Sequence, residues 1–483
     1  MTMSNTRTYQ RSMDWRLGVT DHAAMPVPCP RDGRGGEKSV VERTLAPIPF
    51  RLLPDTAAIV ADGHLAIGGV DIVDLVETVG TPVFIYDEAH LRNRCGEARR
   101  AFGDGVAYAS KAFLCSAMAS LADQEGMMID VASGGELFVA LAGGVSPERL
   151  ILHGSNKSVS ELAFALTLGV GRIVVDSFDE IDRLERLASA LSTRSRQKVL
   201  LRVNPGVRVQ THAAVSTGQE DSKFGFSLAS GAASEAMLRL TRRESPVELV
   251  GLHSHIGSQI FDLSSFNEAI EVLGPYLDKA QLSELCIGGG LGVAYTSGDL
   301  GAPSITDWAH FVRLACRIAG LPNTVHVTAE PGRAITATAA ITCYTIGTIK
   351  SVPVAAPAAR SLVTATRRYV SVDGGMSDNP RPSLYDSSHE VFLPRDAGAH
   401  RPVAATIVGK HCESGDILVQ DGRIPRDTVV GDVLATAVTG AYGYAMASSY
   451  NKALRPPVVF VDQGSYRVVA RRETYKDLLR LET

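Results

Sequence analysis

A chain of 483 residues is too long for one ordinary hydrophobic core, so two domains, or one barrel with an addition, are expected. Its 45% hydrophobic and 21% charged residues exclude a disordered polymer, and a net charge of −4 with the signs mixed excludes a nucleic-acid or membrane-surface footprint. The seven cysteines are an odd number, widely spaced and without a Cys-x-x-Cys pair, which argues against a disulfide framework or a zinc site and for a reducing cytoplasm. No apolar signal core opens the chain and no apolar run reaches membrane-spanning length, so a cytoplasmic protein without a membrane partner is expected.

Residues 1–50 scatter Arg, Gly and Pro without periodicity, as in a disordered or irregular extension or the product of an upstream start codon. Residues 51–87 follow, with β-like runs Ala58-Ile59-Val60 and Pro82–Tyr86 around a helical segment from Ile72 to Val79. An Arg- and Glu-rich helix runs from Glu88 to Phe102. Eight apolar strand-like runs then alternate with helical patterns: Val106–Ala109, Met127–Val131, Arg149–Leu152, Arg172–Val175, Val199–Val203, Leu249–Leu252, Leu285–Ile287 and Val325–Ala329. Ser158-x-x-Glu161 and Ser177-x-x-Glu180 read as capping boxes that start two of the helices.

Such alternation fits a (β/α)8 barrel over residues 88–340 or, equally, a doubly wound sheet. The polar motif at the end of nearly every strand favours the barrel, whose active sites are built there. From about Ile341 the texture changes to Val- and Thr-rich runs between Gly, Pro and Asp turns, among them Ile341–Ile349, Tyr369–Val372, Val403–Val408, Val433–Ala437, Val458–Val461 and Arg467–Ala470. Residues 341–483 are therefore expected to form an all-β domain of sandwich or barrel type, joined by 51–87 and so discontinuous.

The strand ends carry the chemistry. Tyr108-Ala109-Ser110-Lys111-Ala112-Phe113 places one lysine where the first strand runs out, flanked by small residues. An amine so walled can form a Schiff base, although a lone lysine at a strand end is usually just solvated. Strand two ends in Asp130-Val131-Ala132-Ser133-Gly134-Gly135-Glu136, which alone reads as helix capping. Strand five ends in Arg202-Val203-Asn204, and strand six in His253-Ser254-His255-Ile256-Gly257-Ser258-Gln259. Two histidines at i and i+2 share a face, but no third ligand of suitable spacing follows, so no metal is expected. Gly288-Gly289-Gly290-Leu291-Gly292 offers bare backbone N–H groups to a phosphate, and strand eight ends in Glu330-Pro331-Gly332-Arg333. Later come Asp373-Gly374-Gly375-Met376, Arg381-Pro382-Ser383-Leu384-Tyr385, Cys412-Glu413-Ser414-Gly415-Asp416 and Gly440-Ala441-Tyr442.

In this order and combination, from about Leu53 to the C-terminus, the motifs resemble the fold-type III pyridoxal-phosphate decarboxylases, and among them the diaminopimelate decarboxylases of actinobacterial kind. The resemblance implies an alanine racemase-like fold, pyridoxal 5'-phosphate as cofactor, and decarboxylation of meso-2,6-diaminopimelate to L-lysine and CO2, the last step of lysine biosynthesis. The alternative is a related decarboxylase acting on ornithine, lysine or a specialised metabolite. Lys111 would hold the cofactor, Glu330 would pair with its ring nitrogen, His255 would stack on the ring, and Asp130 and Glu136 would organise the lysine and histidine side. Arg202 would brace Glu330 or Asp130. Ser258, Gly289, Gly290, Pro331, Gly332, Arg333 and Tyr442 would form the phosphate cradle.

For the substrate, Arg333 and Arg381 could take the distal carboxylate, and Glu413 the distal ammonium, with Tyr385 and Tyr442 alongside. Cys412 would return a proton to Cα. The resemblance also implies a homodimer in which the cysteine loop of one chain completes the other's site, with no nucleic-acid or membrane partner.

Overall fold

Eight parallel strands run through the first sheet in the spatial order in which the chain supplies them, Ala107–Ala109, Met128–Val131, Leu150–Leu152, Arg172–Val175, Gln197–Asn204, Val247–His253, Glu284–Cys286 and His326–Thr328, and a ninth, Phe226–Ser227, pairs beside the end of the fifth. The computed structural model describes residues 46–191, 195–207, 222–354 and 366–483. First and last strands meet through two backbone bonds, Ala107 N to Ala329 O (3.0 Å) and Ala109 N to Pro331 O (3.2 Å), which close the sheet into a barrel. Ala107, Ile151, Val174, Leu200, Val250 and Cys286 fill its interior as one cluster. At the N-terminal mouth Arg172 Nε donates to Glu284 Oε2 (2.9 Å), so that end is sealed by a charge pair. The other mouth is left for the polar strand ends.

Alternate strand residues face outward onto a ring of helices, whose apolar faces make the largest core of the molecule. Ser158 begins the helix Val159–Leu168 with the full capping box expected of it. The second expected box is only half formed. Ser177 Oγ accepts from Glu180 N (3.3 Å), but the Glu180 carboxylate turns to Lys157 Nζ (2.7 Å). A buried ammonium left without a counter-charge would cost more than a lost cap.

The second sheet has nine strands, mostly antiparallel. Its long strand Ala340–Pro353 pairs over its first half with Val83–Asp87 and Val433–Thr436, then, past a register shift at Gly347, with Thr366–Val372. Val83–Asp87 also pairs in parallel with Val458–Asp462. The expected run near Ala58 does not join this sheet. Ala58–Ile59 pairs with Leu65–Ile67 in a separate three-stranded sheet completed by Val70–Asp71.

Most of the extension expected over 1–50 lies outside the described residues, but its end is docked. Ile48 is buried, and the carbonyls of Ala46 and Pro47 accept from the buried Arg401 guanidinium at 3.0 and 3.4 Å. Among the described residues, no helix is long and apolar enough to cross a membrane.

Candidate active site

Lys111 occupies a single turn, Ser110–Ala112, directly after the first barrel strand; its two neighbours are buried and its own side chain is exposed. The turn is braced from both sheets. Tyr108 Oη donates to Phe113 O (2.5 Å), and Tyr442 N donates to Ala112 O (2.7 Å). Lys111 faces a cavity at the C-terminal mouth of the barrel. Asp130, His255, Ser258, Gly289, Gly290, Glu330, Pro331, Gly332, Arg333 and Tyr442 line that cavity with it, and Ala109, Leu291 and Ala334 complete the wall. Every residue that the sequence resemblance links to the cofactor, Glu136 and Arg202 apart, meets there.

At one side of the cavity lies a carboxylate between two imidazoles. Glu330 accepts from His153 Nε2 at one oxygen and from His253 Nε2 at the other, both at 2.9 Å. Burial pushes its carboxyl up, but the two imidazoles outweigh burial and hold it well below the usual carboxylate range. A carboxylate has about four lone-pair sites, so two acceptor directions remain after both bonds. The ligand atoms of these three residues lie within 4.8 Å of one another, so the third potential metal ligand that strand six does not offer in sequence is brought there by other strands, contrary to the expectation from spacing alone. Asp130, 3.7 Å from His153, is pushed up to about 6 by burial and by the charge of Glu330, against the pull of His153.

His255 is kept neutral: burial first, then the charges of Lys111, Arg202 and His253, hold it well below the usual histidine value. Its Nδ1 accepts from Gly289 N (3.1 Å), so the ring proton sits on Nε2. The glycine run lets backbone approach backbone. A Cβ at Gly289 would fall 2.4 Å from Glu330 O, and one at Gly290, where φ is +109°, 2.3 Å from Gly257 O.

Glu136 and Arg202 are placed differently from the expectation. Glu136 accepts from Ala132 N (2.6 Å) and so caps its own helix. The nearest carboxylate to Arg202 is Asp176 (3.4 Å), and its guanidinium lies over the Phe224 ring; Glu330 and Asp130 act on it only through the field.

Arg333, in the cavity wall, donates to Ser258 Oγ (2.9 Å) and to Tyr295 Oη (2.6 Å), and Arg381, which does not itself line the cavity, donates to the same Tyr295 oxygen (2.9 Å). Both guanidiniums are buried, and among the described residues neither pairs with a carboxylate. Their Nε atoms have no hydrogen-bond partner. On Arg381 burial and the Arg333 charge weaken the hold on the proton, whereas on Arg333 the phenols of Tyr295 and Tyr442 outweigh burial. Tyr385 ends the short helix Arg381–Tyr385, half-buried.

Cys412 and Glu413 do not line this cavity within the chain. They are exposed on a loop tied down at both ends: Asp416 accepts from Met376 N (2.6 Å) and His411 N (2.8 Å), and Lys410 N donates to Gly374 O (3.0 Å). Glu413 accepts from Tyr450 Oη. A separate cavity of about 630 Å³ opens between Ser383–Val391, Arg401 and the strand around Gly422. It is larger, but it holds neither the amine nor the glycine loop, so the chemistry belongs to the smaller one.

Sequence reasoning missed His153, which directly follows the third barrel strand, and Tyr295, which follows the glycine run. A polar side chain at a strand end was the available signal for His153. Nothing local marks Tyr295, because its partners are 38 and 86 residues away.

The sequence model described as the pyridoxal binding domain of pyridoxal-dependent decarboxylases matches residues 88–337. The diaminopimelate decarboxylase of Mycobacterium tuberculosis is 47% identical over 436 residues, covering 87% of this chain and 95% of its own. That of Bacillus subtilis is 42% identical over 434 residues, again 87% of this chain and 95% of its own. The crystal structure of diaminopimelate decarboxylase from M. jannaschii, also solved with L-lysine, superposes with a TM-score of 0.78 at 29% identity, covering 89% of this chain and 98% of that one. The chain belongs to the pyridoxal-dependent decarboxylases, in the family of the diaminopimelate decarboxylases.

Proposed function

We propose that this chain is a pyridoxal-phosphate-dependent carboxy-lyase that converts meso-2,6-diaminopimelate to L-lysine and CO2. The carrying observation is the pair of buried guanidiniums, Arg333 and Arg381, that share one phenol oxygen and lack a carboxylate beside a cavity built for the cofactor. The residues fit pyridoxal phosphate on their own chemistry. They offer an amine, an ionised buried carboxylate, a neutral imidazole, and a glycine loop where any Cβ would collide with the opposite backbone. When bound, the cofactor supplies the electron sink that accepts the pair left as the Cα–carboxylate bond breaks.

The protein's part is positioning and charge. Lys111 would hold the cofactor covalently through Nζ. Glu330, kept ionised by His153 and His253, would hold a proton on the ring nitrogen; a cation there would weaken the sink. His255 presents a flat neutral ring whose orientation Gly289 sets. Ser258, the glycine loop, the Gly332–Arg333 backbone and Tyr442 would take the phosphate.

Meso-diaminopimelate carries an amino acid at both ends, so its distal carboxylate would complete the two arginines and its distal ammonium would meet Glu413, with Tyr385 nearby. Lysine or ornithine would leave both buried guanidiniums without an anion, at a cost of several kcal/mol. Cys412 would return the proton to Cα. Because Cys412 and Glu413 do not line the cavity of their own chain, they would serve the site of a second copy, in an isologous homodimer with two composite sites. The six cysteines among the described residues are free thiols, which suits the cytoplasm, where this reading places the enzyme.

The direct test is CO2 release from meso-diaminopimelate beside L-lysine, D-lysine and L-ornithine. Turnover of diaminopimelate alone is expected. Comparable release from ornithine or lysine would overturn the substrate reading in favour of a diamine-forming enzyme.

A further inference from the structure

The loop that follows the glycine run is held more firmly than a connection needs to be. Gln259 brackets Val293, accepting from its N–H (2.9 Å) and donating to its carbonyl (3.1 Å). Asp299 takes the N–H groups of Tyr295 (2.7 Å) and Thr296 (2.8 Å), and Arg51 donates to the carbonyls of Thr296 and Ser297 at 3.2 and 2.8 Å. Ser297 N also donates to Glu390. The product of this bracing is one fully placed side chain. Tyr295 is buried, its ring edge-on to His389 at 5.3 Å and its oxygen between the two guanidiniums.

Resting on the substrate reading above, we propose that Tyr295 is the specificity-determining residue of the distal-carboxylate pocket. Its hydroxyl sets the spacing of Arg333 and Arg381 and is itself a third donor to the bound anion. Two guanidiniums drawn close in a dry site repel each other, and a shared acceptor holds them as a pair without neutralising them. A protein carboxylate there would satisfy both and leave no affinity for a substrate. A phenol accepts two N–H bonds with its lone pairs and keeps one hydrogen to give. Among the described residues no acceptor takes that hydrogen, and the two Nε groups are likewise unused. Three unspent donors around two positive charges fit a carboxylate and reject an ammonium.

The test is Tyr295→Phe, which keeps the ring contacts with His389 and the guanidiniums and removes only the hydroxyl. KM for meso-diaminopimelate should rise ~10–100-fold, with kcat changed by no more than a few-fold and cofactor affinity, read from its absorbance, unchanged. In an Arg381→Lys background the same substitution should add less than its single effect, because the hydroxyl acts through that arginine. An unchanged KM, an effect that multiplies fully with Arg381→Lys, or a parallel loss of cofactor would each overturn the proposal. If wild-type enzyme uses diaminopimelate and Tyr295→Phe matches its KM, this inference alone fails. If wild-type enzyme ignores diaminopimelate, the substrate reading falls and takes this one with it.

Discussion

Asp378 shows how much the second sheet invests in one side chain. It is buried, accepts from Gly375 N (3.0 Å), and is pushed up to about 7, by burial first, against the pull of that N–H and of Lys410. A folded-state value above the unfolded 3.8 means that the native protein holds a proton that the unfolded chain has released. The resulting stability is complete below the unfolded value and is lost as pH rises through about 7. Asp378→Asn should remove that dependence while keeping an acceptor for Gly375. Urea unfolding should therefore show the variant gaining on wild type by ~2–4 kcal/mol between about pH 4 and about pH 8. A constant difference across that range would mean that the carboxyl is solvated.

At this scale the sequence was readable wherever a cavity-lining side chain sits at the end of an apolar run, as Lys111, Asp130, His255 and Glu330 do. It was silent where the decisive partner comes from elsewhere in the chain. Glu330 could be named as an acid for the cofactor, but not as the shared acceptor of His153 and His253, which are 177 and 77 residues away.

Among the elements, Glu161 does more than a capping-box glutamate usually does. One oxygen accepts from Ser158 N (2.9 Å) and closes the box of its own helix; the other accepts from Gly134 N (2.7 Å) at the start of the neighbouring helix Gly134–Ala142. Ser158→Ala should cost about 1 kcal/mol, and Glu161→Ala measurably more, since it frees donors on two helices at once. Equal costs in chemical denaturation would show that the second bond contributes nothing.

The barrel elements were well marked because buried parallel strands read as unbroken apolar runs. Arg172–Val175 matches its expected span, and the other barrel strands differ mainly at their ends. The strand Ile417–Ile424 was not seen. It lies at the edge of its sheet, paired only with Val403–Val408, and the Gln420-Asp421-Gly422-Arg423 within it looks like a turn. An edge strand tolerates such residues because one side of its ladder meets solvent.

For the whole molecule, the separation of Cys412 from the Lys111 cavity is the feature with most to test. If each cysteine loop completes a second copy's site, inactive Lys111→Ala and inactive Cys412→Ala chains should rescue one another. Random reassortment makes about half the dimers mixed, each with one intact site, so recovery should approach about a quarter of wild-type activity. Mixtures proven to contain heterodimer yet inactive would refute the shared site.

A different consequence follows from Val83–Asp87, the early strand that lies between Ala340–Cys343 and Val458–Val461. During synthesis it leaves the ribosome before any barrel strand, and its last partner is made almost at the end of the chain. Until Ala340–Cys343 is made, the fully buried strand Val-Phe-Ile-Tyr-Asp has no ladder on either side, and until Val458–Val461 is made it has a ladder on one side only. The nascent protein must carry this sticky segment through the making of the whole barrel, and its second sheet can close only after the barrel strands have all been made. Loss of the final strands would thus leave a finished barrel beside a strand with one bare apolar edge, a species shaped for aggregation rather than for partial activity.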